Sequence, residues 1–163
     1  MLTMSRIDLL TPSALPPKIV SYAFALSQRD NDLHTLRQEI SPQITPFRPR
    51  RIMTNVARRG QVVIDGLYIG EINQLAVTNF DAYGWSYEYV KEVQLAFMRE
   101  HHLFSHEQMY AYCEEHDIEV PDPTRVRLAT IEKSTAVRLV GKFLDVPADF
   151  TFVLQVIGDA YER

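Results

Sequence analysis

The residues with the clearest chemistry in this chain are its arginines. Arg48, Arg50, Arg51, Arg58 and Arg59 place five guanidiniums within twelve residues, and Arg125, Arg127 and Lys133 form a second, looser basic group. A guanidinium stays charged at physiological pH and presents a planar fork of N–H donors that matches phosphate bidentately. Such contacts give affinity and salt dependence without reading a base sequence. Residues 1–60 carry nine Lys/Arg against four Asp/Glu, whereas residues 61–163 carry eight against seventeen. This asymmetry points to an anionic partner for one face, and the overall charge of −4 confines any nucleic-acid contact to a local patch. Two readings of the arginine segment follow: an external arm, or neutralisation by the acidic half of the same chain. The expectation carried forward is that the five arginines converge on open solvent.

Other chemistry has less behind it. His101, His102, His106, Cys113 and His116 fall close together, but His106, Cys113 and His116 on one helix would span roughly 15 Å at 1.5 Å rise per residue, too far for a single ion. Cys113 and Met109 read better as core residues, and no metal site is expected. Cys113 also lies beside Glu114 and Glu115, which disfavour a reactive thiolate. The glycines are too scattered to cradle a phosphate, and His34-Thr-Leu has no second copy to pair with. Residues 59–77 are similar to the hairpin that opens the proteolytic domain of Lon-type proteases, but no Ser/Lys dyad follows. No catalytic residue and no cofactor is therefore expected. A single cysteine suits a reducing compartment, and the sequence has neither a signal-peptide pattern nor a long apolar run, so the expectation is a cytoplasmic protein without a membrane partner.

The elements that must position these residues are read from periodicity. Ile19, Val20, Phe24 and Leu26, continued by Leu33, Leu36 and Ile40, predict an N-terminal helix opened by Pro17 and stopped at Ser41-Pro42. Residues 61–78 carry the β signal, with Asp65-Gly66 as a tight turn and Gly70 as a bulge. Ser86 predicts a helix cap, and Ser105 with Gln108 a capping box that opens a helix through about His116. Thr124, Ser134 and the break at Pro147 predict three further helices. The fold class expected is α+β and mainly helical, in one domain over 1–163. Its parts are a basic N-terminal helix and Arg-rich segment (1–60), one β-hairpin (61–80) and a bundle of four or five helices (86–163).

The helix order over 86–157 resembles the Cro/repressor type of helix-turn-helix domain. Residues 102–109 match the end of helix one and a capped second helix, residues 124–133 the recognition helix, and residues 140–147 the junction of the last two. The resemblance implies a third helix in the major groove and a homodimer on paired half-sites, with Arg125 and Arg127 at bases or phosphates. The function expected is that of a small non-enzymatic DNA-binding regulator or accessory protein with duplex DNA as partner. Its contacts would be Arg48, Arg50, Arg51, Arg58, Arg59, Arg125, Arg127 and Lys133. The alternative is a protein-binding module (inhibitor, antitoxin or assembly factor) that presents an acidic helical surface to a basic protein partner.

Overall fold

The computed structural model describes residues 17–30 and 35–161. Strands dominate. The first sheet has the order β1-β8-β3, from Lys18–Ser27 (β1), Phe47–Thr54 (β3) and Thr151–Ala160 (β8). The second has the order β2-β7-β4, from Thr35–Ile40 (β2), Val62–Ile69 (β4) and Val137–Phe143 (β7). Two short strands, Ile72–Asn73 (β5) and Phe80–Asp81 (β6), also pair with β4. The pairings between these strands are all antiparallel, and β1 runs against β8 over ten residue pairs, from Lys18↔Ala160 to Ser27↔Thr151.

Side-chain alternation explains the sandwich. Val20, Tyr22, Phe24 and Leu26 of β1 point inward while Ile19, Ser21, Ala23 and Ala25 point out, the period of two that half-buried strands require. Phe152, Leu154 and Val156 of β8 and Phe47 and Ile52 of β3 join this inner face. Leu36, Ile64, Leu67, Leu139 and Phe143 of the second sheet close over it. Each fully buried side chain of this size contributes about 1.5–3 kcal/mol.

The chain leaves the sandwich after β6 through a 3-10 turn at Ala82–Trp85 and forms two helices, Tyr87–Glu100 (α1) and His106–Glu115 (α2). Ser86 Oγ accepts the Tyr89 N–H and Ser105 Oγ accepts the Gln108 N–H, each at 3.1 Å. Both helix starts are therefore where their caps place them. Both helices end in a Schellman arrangement with a left-handed residue after the cap: His102 (φ 57) below a Leu103 N–H to Met98 O bond, and Asp117 (φ 53) below an Ile118 N–H to Cys113 O bond, each 2.8 Å. Met98, Met109 and Cys113 form a small core of the hairpin, apart from that of the sandwich.

The mainly helical α+β class with a four- or five-helix bundle is overturned, because only two α-helices are present among the described residues. The N-terminal helix is β1 and β2. Of its proposed residues, Leu33 lies outside the described residues. Residues 124–131, read as a recognition helix, run extended along β3; residues 134–144 give β7, and residues 147–157 lead into β8. The helix-turn-helix assignment goes with them. In the hairpin the two glycine signals are exchanged: Asp65 sits at a bulge opposite β7, whereas Gly70, with φ 64, opens the two-residue turn between Ile69 and Ile72. Glycine at the first turn position with positive φ is what a type II′ hairpin needs.

Candidate anion-binding groove

Strand β3 carries Arg48, Arg50 and Arg51. Phe47 and Pro49 are buried before these last two, and Ile52 and Thr54 after them, so the inward phase slips by one residue between Pro49 and Ile52. The pairing with β8 shifts register at the same place. A bulge of this kind places two consecutive residues against one on the partner strand and re-aims their side chains, which lets Arg50 and Arg51 serve one surface together with Arg48. The partner strand must come close here. A Cβ at Gly158 would lie 2.1 Å from the Arg48 carbonyl oxygen and 2.9 Å from Pro49 Cα, so only glycine fits. Pro49, which has no N–H to donate, is tolerated at such an irregularity.

Residues 124–131 lie on the other side of β3. Ile52 N–H bonds to Thr124 O at 2.8 Å, Val126 N–H to Arg50 O at 3.0 Å, and Phe47 and Ile131 exchange bonds of 2.9 and 2.8 Å. This irregular antiparallel pairing opposes Arg51 to Arg125. Arg125 and Arg127 are exposed while Val126 and Leu128 pack partly on the core. Arg48, Arg50, Arg51, Arg125 and Arg127 thereby line one concave groove of about 720 Å³, along with Glu119 and Asp159 and an apolar set that includes Ile19, Leu128 and Ile157.

The five guanidiniums differ in how firmly each is held. Arg51 is locked: its Nη1 donates to Asp122 Oδ2 at 2.6 Å and to Thr124 Oγ1 at 3.0 Å. The Asp122 side chain is 8% exposed, and its other oxygen accepts the Thr124 N–H at 3.0 Å and hydroxyl at 2.6 Å. Burial alone would raise the Asp122 carboxyl, but the two Thr124 bonds and the Arg51 charge outweigh it and hold the group below its ordinary range. Arg50 pairs through Nε with Asp159, whose hydrogen bond and charge raise the guanidinium above its usual value. Arg125 meets Glu119 at 3.6 Å and Asp122 at 3.9 Å, with Arg125 and Glu119 largely exposed. Arg48 and Arg127 form no ion pair among the described residues.

Three of the expected contact residues lie elsewhere. Arg58 pairs with Asp145 at 2.9 Å. Arg59 pairs with Glu92 at 3.4 Å, with its guanidinium carbon 5.0 Å from the centroids of both the Tyr83 and Tyr89 rings. The Tyr83 hydroxyl donates to Glu92 at 2.6 Å, and this bond, followed by burial, raises its pKa. Lys133 is exposed on the turn before β7, outside the groove. The arginines of 48–59 thus show both arrangements that their sequence allows: Arg50, Arg58 and Arg59 are more than half exposed, yet each faces a carboxylate of the acidic half.

The residues that sequence reasoning missed are Asp122, Asp159, Glu119 and Gly158. The slip from Phe47 and Pro49 to Ile52 and Thr54 was a readable sign of the bulge, whereas the acid partners are set by tertiary pairing. Cys113 and Met109 are buried in the hairpin core, as their spacing suggested. His101, Tyr112 and His116 form a stack of rings across the ends of the two helices, with centroids 4.8 and 4.1 Å apart. No group of three or more His, Cys, Asp or Glu side chains able to hold a metal occurs among the described residues. Among the described residues no helix is long and apolar enough to cross a membrane.

The fold is an antiparallel two-sheet sandwich with a helical hairpin inserted between β6 and β7. No family model, curated protein or solved structure matches the chain.

Proposed function

We propose that this chain is a cytoplasmic, non-enzymatic accessory protein that binds the phosphate backbone of DNA in the arginine groove. One observation carries the reading: two basic clusters far apart in sequence, 48–51 and 125–127, line a single concavity. Arg48 and Arg127 are the first contacts, since among the described residues neither has to leave a carboxylate to reach a phosphate. Arg51 serves as a fixed charge behind them. Glu107, Glu114 and Glu115 are exposed on α2, which supplies no residue to the groove lining, while Glu119 just beyond it does; among the described residues no helix lines the groove. Binding is therefore by charge and shape, without base readout. Fluorescence anisotropy with a labelled duplex at about 50 and about 200 mM salt tests this. Two free arginines and two exchangeable ones correspond to about four phosphates, and such a contact weakens on the order of 100-fold between those salts. Absence of binding at the lower salt, for duplex and single strand alike, rejects the reading.

A second reading rests on the hairpin itself. Phe104 is 88% exposed and Tyr110 53%, and they share the surface with Glu107, Glu114, Glu115 and Asp117. Exposed aromatics amid acids suit a basic protein partner. Tight, salt-insensitive binding to such a partner, abolished by Phe104→Ala, would favour this function over DNA binding.

A further inference from the structure

The groove is not uniformly charged, and its mixture narrows the ligand. Its guanidiniums share it with Ile19, which is 81% exposed, and with the partly buried Leu128 and Ile157. A site built for phosphates alone has no use for an exposed isoleucine in its lining. A duplex keeps its base faces stacked inside and offers only sugar and phosphate to a protein outside its grooves. Entering the major groove, about 12 Å wide, takes a projecting helix or β-ribbon, and this site is a hollow. An unpaired strand has the matching chemistry: phosphates along one edge and apolar base faces on the other. Bases of such strands stack on guanidinium planes and on hydrophobic side chains while the backbone follows a basic channel.

We infer that the groove takes single-stranded nucleic acid, with phosphates on Arg48 and Arg127 and base faces against Ile19, Leu128 and Ile157. The inference rests on the phosphate-binding reading of the groove and adds the apolar surface to it. Exposed Ile19 contributes to the non-electrostatic part of the affinity, and the arginines contribute to the salt-dependent part.

The test uses the full chain and three probes: a labelled 12-nucleotide oligothymidine, a duplex of equal length, and phosphatidylserine vesicles. Each is titrated over a salt series. The oligothymidine is expected to bind at least about tenfold more tightly than the duplex. Ile19→Ser should weaken the oligothymidine about threefold, the effect of removing part of one apolar contact, and leave the salt slope unchanged. Arg48→Ala should lower that slope by about 0.7, the value for one phosphate of a single strand. Circular dichroism melting checks that both variants keep the wild-type midpoint, as exposed positions should. A duplex bound as tightly as the single strand, or an Ile19→Ser variant that binds like wild type, overturns the inference and leaves the phosphate reading standing. Vesicles bound more tightly than oligothymidine assign the groove to a lipid headgroup instead. Failure of all three probes at low salt rejects both the inference and the reading beneath it.

Discussion

Two sets of arginines from one stretch of sequence end in contrasting surroundings. In the belt formed by Arg58 and Arg59, each guanidinium faces one carboxylate, Asp145 after β7 and Glu92 on α1, and Arg59 is further covered by two tyrosine rings. In the groove, Arg48, Arg50 and Arg51 meet Arg125 and Arg127 across a shared hollow, and two of the five have no acid partner among the described residues. The belt is neutralised pair by pair, whereas the groove keeps an excess of positive charge. Both are dense runs of arginine, three in four residues at 48–51 and two in two at 58–59. What separates them is a β-bulge that aims consecutive side chains to one side, and a neighbouring segment that brings more of the same charge.

The contrast can be broken at its base. Gly158→Ala should be the most damaging single change, because the added Cβ meets backbone, which cannot rotate away. A loss of about 2–3 kcal/mol is expected from overpacking, read as a lower urea midpoint, and the groove should lose its shape with it. A Gly158→Ala protein as stable as wild type would mean that the close approach of β3 and β8 does not form the groove.

The lock on Arg51 gives the next effect. Asp122→Asn should cost about 2 kcal/mol at pH 7, the scale of hydrogen bonds made to a charged group. Its pH dependence has a definite sign. The Asp122 carboxyl is held below its ordinary value of 3.8 in the folded state, so its contribution is fully present above the unfolded value and is lost as pH falls through the folded one. The stability gap between wild type and Asp122→Asn should therefore be constant from pH 7 to about 5 and close at still lower pH. A gap that widens on acidification would contradict the lock. The smallest effect belongs to the belt. Arg58→Ala with Arg59→Ala should lower stability by no more than about 1 kcal/mol, since exposed ion pairs contribute little. Calorimetric midpoints measure this directly.

The parts of the fold that were legible in the sequence are those whose signals are local. Ser86 and Ser105 announce the two helices through side-chain caps, whereas Asp65-Gly66, read as the turn, carries the bulge, and Gly70, read as the bulge, opens the turn. The sheets were misread for a definite reason. Apolar residues four apart, such as Val20 and Phe24, satisfy a helical face and a strand face about equally well, because four is a multiple of two and close to 3.6. The intermediate positions decide: Tyr22 lies inward between Val20 and Phe24, and Leu139 inward between Val137 and Gly141. The arginines of the groove were visible as residue types, but their convergence depends on the pairing of 124–131 with β3. Periodicity carries no information about that pairing.

If the groove rather than the belt meets DNA, as proposed, salt slopes separate the two. Wild type, Arg48→Ala/Arg127→Ala and Arg58→Ala/Arg59→Ala would be titrated with one labelled DNA over the same salt series. The groove pair should lower the slope by about 1.4 on a single strand or 1.8 on a duplex, the value for two lost phosphate contacts, while its melting midpoint stays within a degree or so of wild type. The belt pair should leave the slope at the wild-type value. Equal slopes for wild type and the groove pair, or a larger drop for the belt pair, would contradict the account.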